Sequence, residues 1–322
     1  MNKAEWDYLH KVTELGHSIN ESTALAILKS SPSDLPEILA AASRVKKRFF
    51  GIRVDMCAIM NIKSGQCSEN CAFCAQSAHY NTEIKRFRMR SVEEILAYYD
   101  NTTSYPVTHF SLVASGRSLD DKGIKKVCEA AHQRSLVKWC VSLGSLQERQ
   151  LALLKQSGIK RLHHNLETAR SYFPTICSTH SFEERLTTIR KAKRLGLEVC
   201  SGGILGMGES LEQRVELAMI LANEKVASIP LNFLIPISGT PLASQPPMKP
   251  LDIIRSIAMF RLVNPEAEIR ICAGREQLRD LQPLIFYAGT SGIMIGSLLT
   301  VAGQPIDKDL QILTDLQLDY EH

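Results

Sequence analysis

Short runs of apolar and β-branched residues alternate along the chain with longer stretches whose apolar residues fall at helical spacing. The short runs predict eight strands: VDMCAIMNI (54–62), THFSLVA (108–114), KWCVSLG (138–144), RLHHNLE (161–167), EVCSGGIL (198–205), IPLNFLIP (229–236), EIRICAG (268–274) and GIMIGSLL (292–299). The intervening stretches predict helices, and SVEEILAYY begins with a capping box of Ser91 and Glu94. Eight strands alternating with helices predict an α/β fold, a (β/α)8 TIM-type barrel.

The first fifty residues show a different pattern. Trp6, Leu9 and Val12 follow helical spacing, and SSPSDLP then offers capping side chains and prolines for a new helix start. We therefore predict an N-terminal helical extension over residues 1–50. Residues 51–322 should form the barrel, which ends in a C-terminal helix.

Composition narrows the functional classes. The net charge is +4, from 38 basic and 34 acidic residues, and the basic residues are scattered, so we expect no nucleic-acid partner. No stretch approaches the ~20 consecutive apolar residues of a membrane helix, and the amino terminus lacks a signal-peptide core. We expect a cytoplasmic protein without a membrane partner.

Nine cysteines stand out in a chain for which disulfides are not expected, so they should be buried apolar residues or metal ligands. Cys67, Cys71 and Cys74 lie close together in GQCSENCAFCAQ (65–76), just after the first strand. A structural zinc site needs four ligands, and this loop offers three. Three thiolates can hold a four-iron, four-sulfur (4Fe-4S) cluster and leave one iron open to another ligand.

Four further cysteines lie on the first, third, fifth and seventh predicted strands. In a barrel of this type, alternate strands contribute the side chains of one inward-facing layer. The sequence therefore predicts four thiols inside the barrel: Cys57, Cys140, Cys200 and Cys272. The alternative is ordinary core packing, because cysteine is often buried. We favour that alternative for Cys128 and Cys177, which lie in helix and loop contexts.

The C-x3-C-x2-C spacing resembles the signature of the radical S-adenosylmethionine (SAM) superfamily. Three further stretches resemble motifs of the biotin synthase family: HHNLET (163–168), CSGGILGMGES (200–210) and EIRICAGREQL (268–278). The resemblance extends from about residue 50 to the end. It implies a sulfurtransferase that inserts sulfur into dethiobiotin, using 5′-deoxyadenosyl radicals from SAM and sulfur from an auxiliary iron–sulfur cluster.

The resemblance also assigns ligand contacts. It implies SAM contacts from Phe73, His164, Asn165, Glu167, Arg185 and Ile204. It implies dethiobiotin contacts from His163, Asn165, Asn232 and Thr300. Several positions depart from the family: Phe73 replaces a frequent Tyr, Glu167 a common Asp, His163 an Asn, and Val301 a Thr. Alternatively, these polar residues only cap the barrel rim.

The auxiliary site departs further from the family. The usual pattern is three cysteines and an arginine around a 2Fe-2S cluster, but the first of those cysteines aligns with Ser111. The arginine aligns with Arg270. We therefore predict a four-iron cluster instead, with Arg270 and Ser111 beside it. Its predicted ligands are Cys57, Cys140, Cys200 and Cys272.

Other interpretations remain open. The same cluster motif and barrel occur in relatives that mature hydrogenase or rearrange lysine, and the chain could instead be an iron–sulfur carrier or sensor without catalysis. The expected partners of the favoured function are a reductant such as flavodoxin or ferredoxin, and an iron–sulfur assembly system or other sulfide source. We also expect a homodimer.

Overall fold

A computed structural model describes residues 1–301 and 303–320, so residue 302 and residues 321–322 of the predicted barrel segment lie outside it. The described residues contain nine strands, all parallel: β1 (Asp55–Lys63), β2 (His109–Ala114), β3 (Lys138–Ser142), β4 (Arg161–His163), β5 (Glu198–Cys200), β6 (Gly203–Leu205), β7 (Ser228–Phe233), β8 (Glu268–Ile271) and β9 (Gly292–Met294). They pair in the order β5-β4-β3-β2-β1-β9-β8-β7-β6, and β5 also pairs with β7. The sheet is therefore closed.

The strands β5 and β6 share one position of the barrel, so the predicted eight-stranded barrel is confirmed although its fifth strand is interrupted. The break falls at Gly202, whose N–H donates to Oδ1 of Asn165 at 3.1 Å. A Cβ atom on Gly202 would lie 2.0 Å from the carbonyl oxygen of Pro230. The side-chain amide and the close backbone approach together replace regular strand pairing at this point.

The helices alternate with the strands as expected, after three N-terminal ones. They are α1 (Lys3–Leu15), α2 (Glu21–Lys29), α3 (Leu35–Phe50), α4 (Val92–Thr102), α5 (Asp121–Gln133), α6 (Glu148–Gln156), α7 (Phe173–Ile176), α8 (Phe182–Arg194), α9 (Leu211–Asn223), α10 (Pro250–Val263), α11 (Leu284–Tyr287) and α12 (Ile306–Asp315), with a 3₁₀ segment at Arg275–Leu281. The capping box of Ser91 and Glu94 is present at α4. None of these described helices is long and apolar enough to cross a membrane.

The N-terminal helices cover the outer face of α10. Both α2 and α3 pack against α10, and the N–H of Ile19 donates to the carbonyl oxygen of Leu262 at 3.1 Å. The residues of α10 from Ile253 to Val263 are consequently buried. The extension therefore completes the helical layer on this side of the barrel.

Arg261 is a fully buried charge on α10. Its guanidinium donates to the carbonyl oxygens of Gly289, Pro265 and Ala267 and to Oγ of Ser291. Burial lowers the pKa of Arg261 to about 9. Because each bond reaches a segment that leads into β8 or β9, this side chain fixes those strands to α10.

Candidate active site

A cavity of about 360 Å³ opens at the carboxyl ends of the strands. Its lining includes the three loop cysteines and the four strand cysteines of the sequence analysis. The other predicted site residues also line it: Phe73, Ser111, His163, His164, Asn165, Glu167, Arg185, Ile204, Asn232, Arg270 and Thr300. Val301, one of the positions that depart from the family, is part of the same lining. The fold therefore brings the whole predicted set to one place.

The loop between β1 and α4 carries Cys67, Cys71 and Cys74. The N–H of Cys67 donates to the carbonyl oxygen of Gln76 at 3.0 Å, and the N–H of Cys74 donates to that of Cys71 at 2.9 Å. Gly65 begins the loop with φ at 77°. These turns bring three half-buried free thiols to the cavity. Burial raises the pKa of Cys74 to about 11, so a metal must displace its proton on binding.

A group of polar side chains ties this loop to the segment between α7 and α8. Oε2 of Glu69 accepts from Oγ1 of Thr179 at 2.8 Å and lies 2.6 Å from Nδ1 of His180. Burial raises the pKa of Glu69, but the hydrogen bonds from Thr179 and His180 outweigh this and lower it overall. The N–H of Ser178 donates to Oδ1 of Asn70 at 3.0 Å. The loop conformation therefore depends on residues about 110 positions away.

Asn165, Glu167 and Arg185 form one bonded group at the rim. Nδ2 of Asn165 donates to Oε2 of Glu167 at 3.3 Å, and Nη2 of Arg185 donates to Oε1 of Glu167 at 3.0 Å. Arg185 also donates to the carbonyl oxygen of Asn165. Glu167 has φ at 69°, and a Cβ on Gly203 would lie 2.3 Å from its carbonyl oxygen. The backbone of Glu167 thus packs directly against Gly203. Glu167 itself has a left-handed backbone conformation, which few residues other than glycine adopt.

Both the oxygen and the nitrogen of the Asn232 side-chain amide form hydrogen bonds to the backbone. Its Oδ1 accepts from the N–H of Ala273 and its Nδ2 donates to the carbonyl oxygen of Gly203, each at 3.2 Å. One N–H of the amide remains for a ligand. The residue therefore connects β6, β7 and the end of β8 as well as facing the cavity.

The four strand cysteines are buried free thiols in the lining. Burial raises the pKa of each, that of Cys57 to about 11. The positive charges of Arg161 and Arg270 act in the opposite direction. Both guanidinium groups bind the buried carboxylate of Glu268, that of Arg161 through Nη1 at 3.1 Å. Arg161 also binds Glu198, but that carboxylate is half-exposed to solvent, so the two buried guanidinium groups favour anionic thiolates in the cavity.

Three buried polar atoms in this part of the lining have no hydrogen-bond partner among the described residues. They are Nε2 of His109, Oγ of Ser111 and Nη1 of Arg270. Buried polar atoms are nearly always bonded, so the hydroxyl of Ser111 and the N–H of Arg270 fit a group that carries hydrogen-bond acceptors. Burial lowers the pKa of His109 to about 2, so its imidazole is neutral. Four thiols and these atoms together suit an iron–sulfur cluster, and the three loop thiols suit a cluster with one open iron.

The sequence analysis did not identify Arg161, Glu268 or His109 as part of the site. A signal was available, because each lies two residues before an identified position on the same strand and therefore faces the same side. It also missed Glu69 and His180. No local pattern reveals those two, because they meet only in the folded chain.

Comparisons with known proteins identify the family. Residues 61–221 match the Radical SAM superfamily, and residues 230–319 match the Biotin and Thiamin Synthesis associated domain. The biotin synthase of Maridesulfovibrio salexigens is 52% identical over 320 residues, which cover 98% of this chain and 96% of that protein. The chain belongs to the biotin synthase family. The biotin synthase of Pelotomaculum thermopropionicum is 46% identical, over 96% of this chain and 98% of the relative.

Solved structures agree on the fold. The crystal structure of methylornithine synthase has a TM-score of 0.84 at 20% identity and covers 97% of this chain and 96% of its own. The FeFe-hydrogenase maturase HydG from Carboxydothermus hydrogenoformans has a TM-score of 0.82 at 17% identity, over 98% and 79%. At these identities the likeness concerns the barrel alone. The radical SAM match implies a 4Fe-4S cluster and SAM.

Glu268→Gln should destabilise the protein by about 3–5 kcal/mol, because it removes the buried carboxylate between Arg161 and Arg270. The measurement is urea and thermal unfolding. Glu198→Gln is the matched control, since Glu198 also binds Arg161 but its side chain is 47% exposed, and it should cost about 1 kcal/mol or less. Equal small losses in both variants would contradict the assignment of a buried charge network.

Proposed function

We propose that the chain is a radical SAM sulfurtransferase that inserts sulfur between two unactivated carbons of dethiobiotin to give biotin. The observation that carries the proposal is the single cavity lined by both sets of cysteines, in a chain 52% identical to a biotin synthase over nearly its full length. When bound, the radical cluster supplies the electron that cleaves SAM to a 5′-deoxyadenosyl radical, and the auxiliary cluster supplies the sulfur. The residues of the chain hold the two clusters and bind SAM and dethiobiotin.

Cys67, Cys71 and Cys74 hold the radical cluster. The group of Asn165, Glu167 and Arg185 binds the amino group, ribose and carboxylate of SAM. Its support is the mutual hydrogen bonding at 3.0–3.3 Å, which holds the carboxylate and guanidinium in fixed orientations before SAM arrives. Further SAM contacts come from Phe73, His164 and Ile204, which line the same cavity.

Dethiobiotin is held by His163, Asn165, Asn232 and Thr300. The free N–H of Asn232 suits the ureido oxygen, and the hydroxyl of Thr300 suits the substrate carboxylate. Burial lowers the pKa of His163 to about 4, so this imidazole stays neutral near pH 7. A neutral imidazole has one hydrogen-bond donor and one acceptor, and both suit the uncharged ureido ring of dethiobiotin.

The auxiliary cluster contains four irons, and its ligands are Cys57, Cys140, Cys200 and Cys272. Arg270 is a donor beside it and not a ligand. Burial opposes the charge of Arg270, but Glu268 and the neighbouring thiols raise its pKa overall, and a protonated guanidinium has no lone pair for iron. The unpaired Nη1 of Arg270 and Oγ of Ser111 suit hydrogen bonds to the sulfur atoms of such a cluster.

The remaining parts of the proposal come from the sequence. They are a reductant such as flavodoxin or ferredoxin, an iron–sulfur assembly system or other sulfide source, a homodimer, and a cytoplasmic location without a nucleic-acid or membrane partner. Residues 1–50 form the helical extension, and residues 51–322 form the catalytic barrel with its C-terminal helix.

Replacing any one of Cys67, Cys71 and Cys74 by Ala should abolish SAM cleavage, because the open cluster needs all three thiolates. The measurement is 5′-deoxyadenosine formed anaerobically with dithionite, together with mass detection of biotin from dethiobiotin. Cys128→Ala, on α5 and outside the cavity lining, is the matched control and should keep the activity. A wild-type protein that binds iron without forming 5′-deoxyadenosine would be a carrier, against this proposal.

Asn232→Ala should weaken dethiobiotin binding by about 1–3 kcal/mol and SAM binding by less, because the ureido group loses its partner. The same change removes the bonds to Gly203 and Ala273, so Asn232→Asp, which keeps the bond to Ala273 but not that to Gly203, should weaken dethiobiotin binding as Asn232→Ala does. Aspartate keeps the acceptor for Ala273 but lacks the amide N–H. Equal weakening of both ligands, measured by equilibrium binding, would assign Asn232 to structure alone.

Anaerobic reconstitution should load about eight irons per chain. A triple Ala variant of Cys140, Cys200 and Cys272 should hold about four and still cleave SAM. Arg270→Gln should keep about eight irons, because the guanidinium is not a ligand. About six irons in the wild type, with the auxiliary cluster lost in the Arg270 variant and kept in Cys272→Ala, would restore the two-iron arrangement.

A further inference from the structure

Cys177 faces Cys71 where the segment between α7 and α8 contacts the radical-cluster loop. We expected Cys177 to be a packing residue, and it is buried, with 5% of its surface exposed. Its Sγ nevertheless lies 3.8 Å from Sγ of Cys71, so the two sulfurs are in van der Waals contact. Both residues are free thiols. The proposed function gives Cys177 no role, although it touches a proposed cluster ligand.

Hydrogen bonds on both sides hold the two cysteines opposite each other. The N–H of Ala72 donates to the carbonyl oxygen of Ile176 at 2.8 Å. Oδ1 of Asn70 accepts from the N–H of Ser178 at 3.0 Å. The neighbours of one cysteine are thus bonded to the neighbours of the other in antiparallel order. Opposed residues of antiparallel segments have Cβ atoms about 4.5–5.5 Å apart, close to the roughly 3.5–4.5 Å of a disulfide.

Only a small movement separates this arrangement from a disulfide. The S–S bond is about 2.0 Å long, so each sulfur moves by about 0.9 Å from the observed separation of 3.8 Å. A modest rotation about each Cα–Cβ bond supplies that movement. The backbone keeps the hydrogen bonds that join the two segments. The geometry therefore allows the two sulfurs to bond whenever no iron holds Cys71.

We propose that Cys71 and Cys177 form a reversible disulfide in the chain that lacks its radical cluster. Hydrogen peroxide is the oxidant, and a dithiol is the reductant that restores the two thiols. The disulfide goes beyond the proposed function and does not depend on it. One consequence rests on that function, through the proposed role of Cys71 as a cluster ligand: the radical cluster cannot assemble until the disulfide is reduced.

The exposure of the two thiols sets the order of the steps. Cys71 is half-buried and lines the cavity, whereas Cys177 is buried and lies outside the lining. Peroxide therefore reaches Cys71 first and oxidises its thiol to a sulfenic acid, with release of one water. The sulfur of Cys177 then attacks that sulfur, and the hydroxyl leaves with the thiol proton as a second water. Two thiols are oxidised to one disulfide, and one peroxide is reduced to two waters.

The test uses the full-length chain without clusters. Cys67→Ser and Cys74→Ser form the background, so that neither neighbouring loop thiol can pair with Cys71. Peroxide is added in small excess, free thiols are blocked, and tryptic peptides are analysed by mass spectrometry. The peptide of residues 64–85 should be linked to that of residues 171–185, and dithiothreitol should separate the two.

A further Cys177→Ser change on this background removes the thiol that closes the disulfide. Cys71 should then be oxidised to a sulfinic acid, which dithiothreitol does not reduce. Cys128→Ser on the same background is the matched control and should give the linked peptide. Circular dichroism checks that each variant is folded. A background protein without the linked peptide, with residue 71 either unmodified or a sulfinic acid, would overturn the proposal.

A second measurement tests the exclusion between disulfide and cluster. Wild-type apoprotein treated with peroxide is offered a preassembled 4Fe-4S cluster by a scaffold protein, without added thiol or sulfide. It should take up about four irons fewer than the untreated protein, in proportion to the linked peptide, and dithiothreitol should restore the uptake. Linked peptide with unchanged iron uptake would overturn the exclusion. If untreated wild type takes up no iron at the loop, the proposed function fails instead, and the peptide analysis still decides the disulfide.

Discussion

The constraint on which the site depends is buried charge inside a closed barrel. The four inward thiols proposed as iron ligands must lose their protons to act as such, and burial raises the pKa of each. The two guanidinium groups of Arg161 and Arg270 offset this, because they share one buried carboxylate, that of Glu268, and the second carboxylate on Arg161, that of Glu198, is exposed to solvent. The same positive charge is costly when no anion is present. The interior of the barrel therefore favours an anionic occupant. Arg161, Arg270 and Glu268 affect both the stability of the barrel and the binding of such an occupant.

The interruption between β5 and β6 connects this inner region to the rim. At that break the amide of Asn165 binds Gly202, while Gly203 contacts both the backbone of Glu167 and the amide of Asn232. Any side chain on either glycine would meet a carbonyl oxygen at 2.0–2.3 Å. Residues proposed for SAM and for dethiobiotin are thus held by one backbone feature.

Much of this architecture follows from sequence periodicity. Short runs of apolar and β-branched residues located all eight barrel positions. Strand order placed Cys57, Cys140, Cys200 and Cys272 on alternate strands, and the structure finds them in one cavity lining. The break in the fifth strand could not be predicted, because it depends on the distance to Pro230 in the folded barrel. The contact between Cys71 and Cys177 joins residues 106 positions apart, and no local pattern encodes such a pair.

The two sets of cysteines are preorganised by different means. The strand cysteines are positioned mainly by the backbone hydrogen bonds of the parallel strands, which are interrupted after Cys200, where the side chain of Asn165 takes their place. The loop cysteines depend on individual polar contacts, chiefly Glu69 with His180 and Asn70 with residues 178 and 179. The geometry of the loop cysteines therefore depends on a few side-chain contacts, whereas that of the strand cysteines depends on the fold of the whole barrel.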